Sequence, residues 1–130
     1  TWHGLDYRSC SVVARTIDSI VFNAKLPRVD FIKCDVEGTE FQVFKGARRV
    51  LAEFQPVVVA EHSKASADGF AEDWLKYFDD LAYMAVFPNG AVVSIENFND
   101  YWYVFLIPKA RYSEVDEILT DTMVNWRRLV

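Results

Sequence analysis

Hydrophobic and polar positions along the chain change between a period of two residues and a period near 3.6, which predicts alternating strands and helices. Six runs rich in apolar or β-branched residues predict strands: residues 10–16, 29–36, 56–62, 83–87, 91–95 and 102–107. The run 29–36 is almost continuously apolar, as is typical of a parallel strand covered on both faces. Pro88, Asn89 and Gly90 predict the turn of a hairpin between the fourth and fifth strands.

Four stripes of apolar residues at helical spacing accompany these strands. They predict helices over residues 17–26, 39–55, 67–82 and from Ser113 to about Arg128. Thr39 and Gln42 have the spacing of a capping box at the start of the second helix. The predicted order is β-α-β-α-β-α-β-β-β-α, an α/β fold, and no linker or repeat divides residues 1–130 into more than one domain.

The composition narrows the possible partners. Hydrophobic residues make up 52% of the 130 positions, which is ample for a core, and the net charge of −5 argues against nucleic acid or an anionic membrane surface as the main partner. No apolar run has the roughly 18 residues that a membrane span needs, and no basic-then-apolar run opens the sequence, so we expect neither a membrane span nor a signal peptide. Cys34 lies in an apolar strand, where a reduced, inert thiol is expected. We therefore expect a soluble, cytoplasmic protein that acts on small molecules.

Acidic side chains follow two of the predicted strands. Asp35 and Glu37 come at the end of the strand 29–36, and Glu61 and His62 end the strand 56–62. A carboxylate in the middle of a buried strand would lose hydration worth several kcal/mol, so these acids belong where the strands end. Open α/β sheets bind ligands beyond the carboxyl ends of their strands, so this edge is the predicted site.

Three segments carry a resemblance to a known family. TID at 16–18, VDFIKCDVEGTEFQVFKGARRVL at 29–51 and PVVVAEH at 56–62 resemble the C-terminal half of the FkbM-type methyltransferases. Their pattern reads T-L-D, then K-x-D-V-E-G-x-E within a strand-to-helix turn, then a strand that ends in Glu. The resemblance implies a Rossmann-like methyltransferase sheet, S-adenosylmethionine as the methyl donor, and a hydroxyl of a sugar or another small molecule as the acceptor.

The chain departs from the family in its glycines. They stand at positions 4, 38, 46, 69 and 90, so the glycine-rich turn with which the family holds the donor is absent. We therefore expect the C-terminal portion of the fold, with parallel strands followed by an antiparallel hairpin and strand, and without the N-terminal donor-binding strands. Such a truncated chain is expected to be inactive alone. It would leave one edge of the strand 29–36 open, to be covered by residues 10–16 or, preferably, by a second copy in a homodimer.

Methyl transfer to an alcohol requires alignment of the acceptor and removal of its proton. Asp35 and Glu37 are two residues apart, so on an extended segment both would point to one side, and with Glu61 they are the predicted catalytic residues. Lys33 and His62 are the predicted substrate-binding residues. Lys33 shares the parity of Asp35, so an ion pair that lowers the pKa of Asp35 is expected.

Other interpretations stay open. Asp35, Glu37 and Glu61 could hold Mg²⁺ through their oxygens in a hydrolase or phosphoryl-transfer enzyme, or the chain could be a non-catalytic assembly module. The ion pair of Lys33 could be structural, and Glu40 is expected to complement a helix dipole. Aromatic residues at helix or strand spacing are expected in the core: Phe70, Trp74, Phe78, Trp102 and Tyr103.

Overall fold

A mixed four-stranded sheet forms the centre of the computed structural model, which describes residues 10–61, 70–115 and 117. Its strands are β1 Phe31–Cys34, β2 Val57–Glu61, β3 Tyr83–Val86 and β4 Tyr103–Pro108, and they lie in the order β1-β2-β4-β3. β1 and β2 are parallel, whereas β4 is antiparallel to both β2 and β3. The predicted α/β class and the parallel pairing of residues 29–36 with 56–62 are confirmed.

Helices precede β1, β2 and β3 along the chain. They are α1 Ile17–Asn23, α2 Glu40–Lys45, α3 Arg48–Phe54 and α4 Phe70–Asp79, and a 3₁₀ turn at Lys109–Arg111 follows β4. The predicted helix start at 67 and the end of the last predicted helix lie outside the described residues. In the described part of the chain, no helix is both long enough and apolar enough to cross a membrane.

The prediction of a single helix over residues 39–55 is wrong. The helix is interrupted between α2 and α3, where the start of α1 contacts the chain. The carboxylate of Asp18 accepts hydrogen bonds from the N–H groups of Arg49 and Val50, at 3.0 and 2.8 Å, and so caps α3. The N–H of Asp18 donates to the carbonyl of Gly46 at 3.0 Å. A Cβ atom on Gly46 would lie 3.2 Å from Cγ2 of Thr16, a contact tighter than usual, so a larger residue at position 46 would require Thr16 to move.

The core packs the helices against the sheet through large apolar side chains. Its fully buried members include residues of α2, α3, α4 and all strands except β1: Phe44, Leu51, Val58, Trp74, Phe78, Tyr83 and Leu106. The hydroxyl of Tyr83 donates to the carbonyl of Pro56 at 2.8 Å, and burial raises the pKa of this phenol. The same hydroxyl lies 3.4 Å from the carbonyl of Leu51, so β3 is tied both to helix α3 and to the chain entering β2.

Two predicted strands do not form. Residues 10–16 have no regular structure and are exposed, because nothing in the described chain pairs with their β-branched side chains. Residues 91–95 follow the predicted turn, at which Gly90 has φ 84°, but they contribute only one bridge, between Val86 and Val92. The hairpin prediction is therefore right for its turn and wrong for its second strand.

The strand β1 lies at the edge of the sheet among the described residues, and its burial alternates instead of being continuous. Phe31 is 57% exposed, whereas Cys34 is buried with its thiol free, as predicted. Burial raises the pKa of Cys34 to about 11, so the thiol stays protonated and unreactive. Coverage of β1 on both faces, expected from its apolar sequence, is not observed, and residues 10–16 do not cover its edge.

Candidate functional site

The ends of three strands bring together a row of polar side chains, Asp35, Glu61 and Tyr103, which we call the cross-strand row. Cys34 is paired with Ala60 in the parallel register, so Asp35 follows at the level of Glu61. Glu61 is itself paired with Tyr103 in the antiparallel register between β2 and β4. Residues paired across strands project to the same face of a sheet, so the three side chains meet on one face.

Asp35 is held by two neighbours. The Lys33 ammonium lies 2.7 Å from its Oδ2, and the Tyr103 hydroxyl donates to the same oxygen at 3.5 Å. The hydrogen bond from Lys33, then one from Glu61, lower the pKa of Asp35 below its ordinary value. The predicted ion pair is thus present, and it keeps Asp35 ionised.

Glu61 is shifted in the opposite direction. A hydrogen bond joins its carboxyl group to Asp35, and this bond, burial and the negative charges of Asp35 and Glu37 raise the pKa of Glu61. Two adjacent carboxyl groups cannot both ionise freely, so Asp35, which has a cation beside it, loses its proton more readily than Glu61 does. The pair therefore combines a more acidic Asp35 with a more basic Glu61.

Glu37 joins the row from the turn between β1 and α2. Together with Asp35 and Glu61 it forms an acidic cluster, in which one carboxylate oxygen of each residue lies within 4.8 Å of the others. Glu37 has φ 57° and Gly38 has φ 100°, so the chain at this point is a left-handed turn and not an extended segment. The prediction that these acids meet is right, but the reason given for it, strand alternation from Asp35 to Glu37, is wrong.

The side chain of Glu40 stabilises the left-handed turn. This side chain is 4% exposed, and one of its oxygens accepts from the N–H of Val36 at 2.8 Å. Both of its oxygens also lie near the N–H of Gly38, at 3.2 and 3.1 Å. The predicted capping box is not formed, because the Thr39 side chain makes no hydrogen bond to the helix and its hydroxyl donates to the carbonyl of Val36 at 3.3 Å instead.

Tyr103 is the site residue that the sequence prediction missed. Trp102 and Tyr103 were expected in the core, but they are 57% and 40% exposed. The signal lies in topology: β4 runs antiparallel to β2, so its first residue meets the last residue of β2, which is Glu61. His62, the other predicted substrate-binding residue, lies outside the described residues.

The acidic cluster is open to solvent and rich in oxygen ligands. Asp35 and Glu37 are exposed and Glu61 is half-buried. Three carboxylates this close could bind a hard cation such as Mg²⁺. However, the Lys33 ammonium already neutralises Asp35, which lowers the attraction of the cluster for a metal ion. The same arrangement is suited to accepting hydrogen bonds from hydroxyl groups.

The family of the chain follows from comparison with known proteins. A model of the methyltransferase FkbM domain matches residues 2–85, which is more than half of the 130 residues. The chain therefore belongs to the FkbM methyltransferase family, whose activity is methyl transfer. Comparison with curated proteins and with solved structures gave no significant match.

The structure separates the family-like segments into two groups. Thr16, Asp18 and Gly46 form the junction between α1 and the break before α3, and none of them belongs to the acidic cluster. The segment from Lys33 to Glu40 builds the site itself, because it supplies the ion pair, the left-handed turn and the buried carboxylate under that turn. The first group maintains the fold, and the second shapes the candidate site.

Proposed function

We propose that the cross-strand row is the acceptor side of an S-adenosylmethionine-dependent O-methyltransferase site, with a small molecule or sugar as the acceptor. The observation that carries the proposal is the pairing of an ionised Asp35 with a more basic Glu61 at the carboxyl ends of two parallel strands. Membership of the FkbM family supports methyl transfer as the reaction. We further infer a Rossmann-like sheet, with β1 and β2 as its parallel part.

The donor is compatible with this site in charge and in hydrogen bonding. S-adenosylmethionine carries a sulfonium cation and two ribose hydroxyls, and the acidic cluster offers negative charge and free acceptor oxygens. When bound, the donor supplies an electrophilic methyl group. Glu37 is the residue that we assign to donor contacts, because it projects from the turn beyond β1 and is exposed.

The acceptor hydroxyl is proposed to lie between Asp35 and Glu61. Asp35 accepts a hydrogen bond from the hydroxyl and orients it, and Lys33 keeps this carboxylate charged. Glu61, in its ionised form, takes the hydroxyl proton as the oxygen is alkylated, because its raised pKa makes it the stronger base of the two. Tyr103 donates to Asp35 and fixes the orientation of that side chain.

The first experiment titrates the full chain separately with S-adenosylmethionine and with Mg²⁺ by isothermal calorimetry. Binding of the donor, lost in Glu37→Gln and retained in the surface control Glu53→Gln, supports the methyltransferase. Binding of Mg²⁺ alone contradicts it and favours a metal-dependent hydrolase or phosphoryl-transfer enzyme. Binding of neither ligand also contradicts it and favours an assembly module.

The second experiment measures methyl transfer from labelled donor to a panel of sugars and hydroxylated small molecules, in a longer version of the protein that carries a glycine-rich donor-binding turn. Because general-base catalysis contributes about 10²–10⁴-fold, Glu61→Gln should lower turnover by a factor in this range. Asp35→Asn should lower turnover far more than it lowers the melting temperature. If Asp35→Asn unfolded the chain while the folded fraction kept its specific activity, Asp35 and Lys33 would form a structural ion pair instead.

A further inference from the structure

Glu40 is an acidic side chain that is almost completely buried. No ion pair with another described residue is found for it. It is 4% exposed, and its partners are the backbone N–H groups of Val36 and Gly38. A buried carboxylate is costly unless hydrogen bonds compensate for its lost hydration. Among the residues that the structure describes, the compensation comes from the turn that carries Glu37, so the carboxylate and the turn depend on each other.

The bonds of Glu40 fall on both sides of Glu37. Val36 precedes it and Gly38 follows it, so a single carboxylate bridges the residue in the left-handed conformation. A non-glycine residue in this conformation is strained and persists only when its surroundings fix it. The hydrogen bonds that the Glu40 carboxyl group accepts on both sides of Glu37 supply such a constraint. The bridge therefore offsets the strain at Glu37.

We propose that Glu40 is a positioning residue: its buried carboxylate holds the Val36–Gly38 turn so that the Glu37 carboxylate stays beside Asp35 and Glu61. This proposal rests on the function proposed above only in giving Glu37 a role toward a ligand. The geometry assigned to Glu40 is independent of that role. A helix-dipole contact, the role expected from sequence, does not account for it, because α2 has only six residues and the carboxylate points to the preceding loop.

Two substitutions of Glu40 distinguish the effect of its side-chain length from the effect of its charge. Glu40→Asp keeps the charge but is one methylene shorter, so it cannot reach both N–H groups. Glu40→Gln keeps the reach and one acceptor oxygen but loses the charge. If Glu40 positions the turn, amide exchange at Val36 and Gly38 should rise about tenfold or more in Glu40→Asp, whereas in Glu40→Gln it should rise at Gly38 more than at Val36. The control is Glu53→Asp, an exposed residue paired with Arg49, which should change neither amide.

The second readout is the titration of Glu61, followed by carboxyl-carbon NMR in the same folded samples. The charge of Glu37, and to a smaller extent that of Glu40 itself, raises the pKa of Glu61. Displacement of Glu37 in Glu40→Asp should therefore move that pKa back toward its ordinary value, and the change should be smaller in a Glu37→Gln background, where only the direct effect of residue 40 remains. A merely structural Glu40 would lower the melting temperature of Glu40→Asp and change the Glu61 titration equally in both backgrounds, which overturns the proposal. If Glu40→Asp does not fold, unchanged exchange at Gly38 in Glu40→Gln overturns it equally. Neither readout needs a methyl donor, so a failure here is distinct from a failure of the proposed function.

Discussion

Asp18 offers the most direct test of the fold, because its carboxylate is the cap of helix α3. Asp18→Ala removes two hydrogen bonds, to the N–H groups of Arg49 and Val50. The first group is exposed and water can replace the lost bond, whereas Val50 is fully buried and its environment gives water less access. Loss of a cap costs about 0.5–2 kcal/mol, and a bond to a charged acceptor about 1.5–3. We expect Asp18→Ala to lower the free energy of unfolding by about 2 kcal/mol.

The assay is urea unfolding followed by the fluorescence of tryptophan, of which Trp74 is buried in the core. Asp18→Asn keeps one acceptor oxygen and should lose about half as much stability. Asp80→Ala is the matched control, since it removes an exposed acid that pairs with Lys76 one helical turn away, and it should change stability by less than about 0.5 kcal/mol. If Asp18→Ala stayed within that range of the wild type, the capping argument would be refuted.

Three further predictions concern the α1 junction, the carboxyl pair and the sheet edge. Gly46→Ala should lower the free energy of unfolding by about 1–3 kcal/mol in thermal denaturation, because the new Cβ would press on Thr16. The raised pKa of Glu61 means that the folded chain binds its proton more tightly than the unfolded chain, so this contribution is complete below pH 4.5 and is lost as the pH rises through the folded pKa. Glu61→Gln should therefore gain in stability relative to the wild type between pH 4 and pH 7. If the stability of the variant and that of the wild type had the same pH dependence, the raised pKa of Glu61 would be contradicted. The homodimer through the edge of residues 29–36 stays a prediction: light scattering at micromolar concentration should show a dimer that Phe31→Glu dissociates, and a clean monomer with rapid amide exchange in β1 would exclude it.

Local sequence patterns predicted much of the fold because the relevant forces act over a few residues. The helix α1, the strands β1, β2, β3 and β4 and the turn at Gly90 follow from periodicity, β-branched runs and turn chemistry. The break of the helix over 39–55 was not predictable in this way, because it is caused by Asp18, which lies about thirty residues earlier. Likewise, residues 10–16 have strand propensity, but they pair with no strand in the part of the chain that the structure describes.

The acidic residues of the candidate site were predicted from the sequence, whereas the residues that support them were not. Asp35, Glu37 and Glu61 could be named because charged residues stand out at the ends of apolar strands. Tyr103 could not be named, since its place beside Glu61 depends on β4 lying next to β2, and aromatic residues in a strand are more often buried. The hydrogen bonds of Glu40 depend on the left-handed conformation of the turn, and the local sequence does not predict that conformation.

The cross-strand row forms only when the strands of the sheet are correctly aligned, so the candidate site reports that alignment. Its members Asp35 and Tyr103 are 68 positions apart in the chain, and they meet only if β4 is in register with β2. A slip of β4 by one residue would turn Tyr103 to the opposite face of the sheet and leave Asp35 without its hydroxyl partner. Because contacts between residues far apart in the chain form slowly, the site should be complete only in chains whose whole sheet has formed. The ultraviolet absorbance of the Tyr103 phenol, compared with that of Tyr103→Phe, would then report correct alignment of the sheet during refolding.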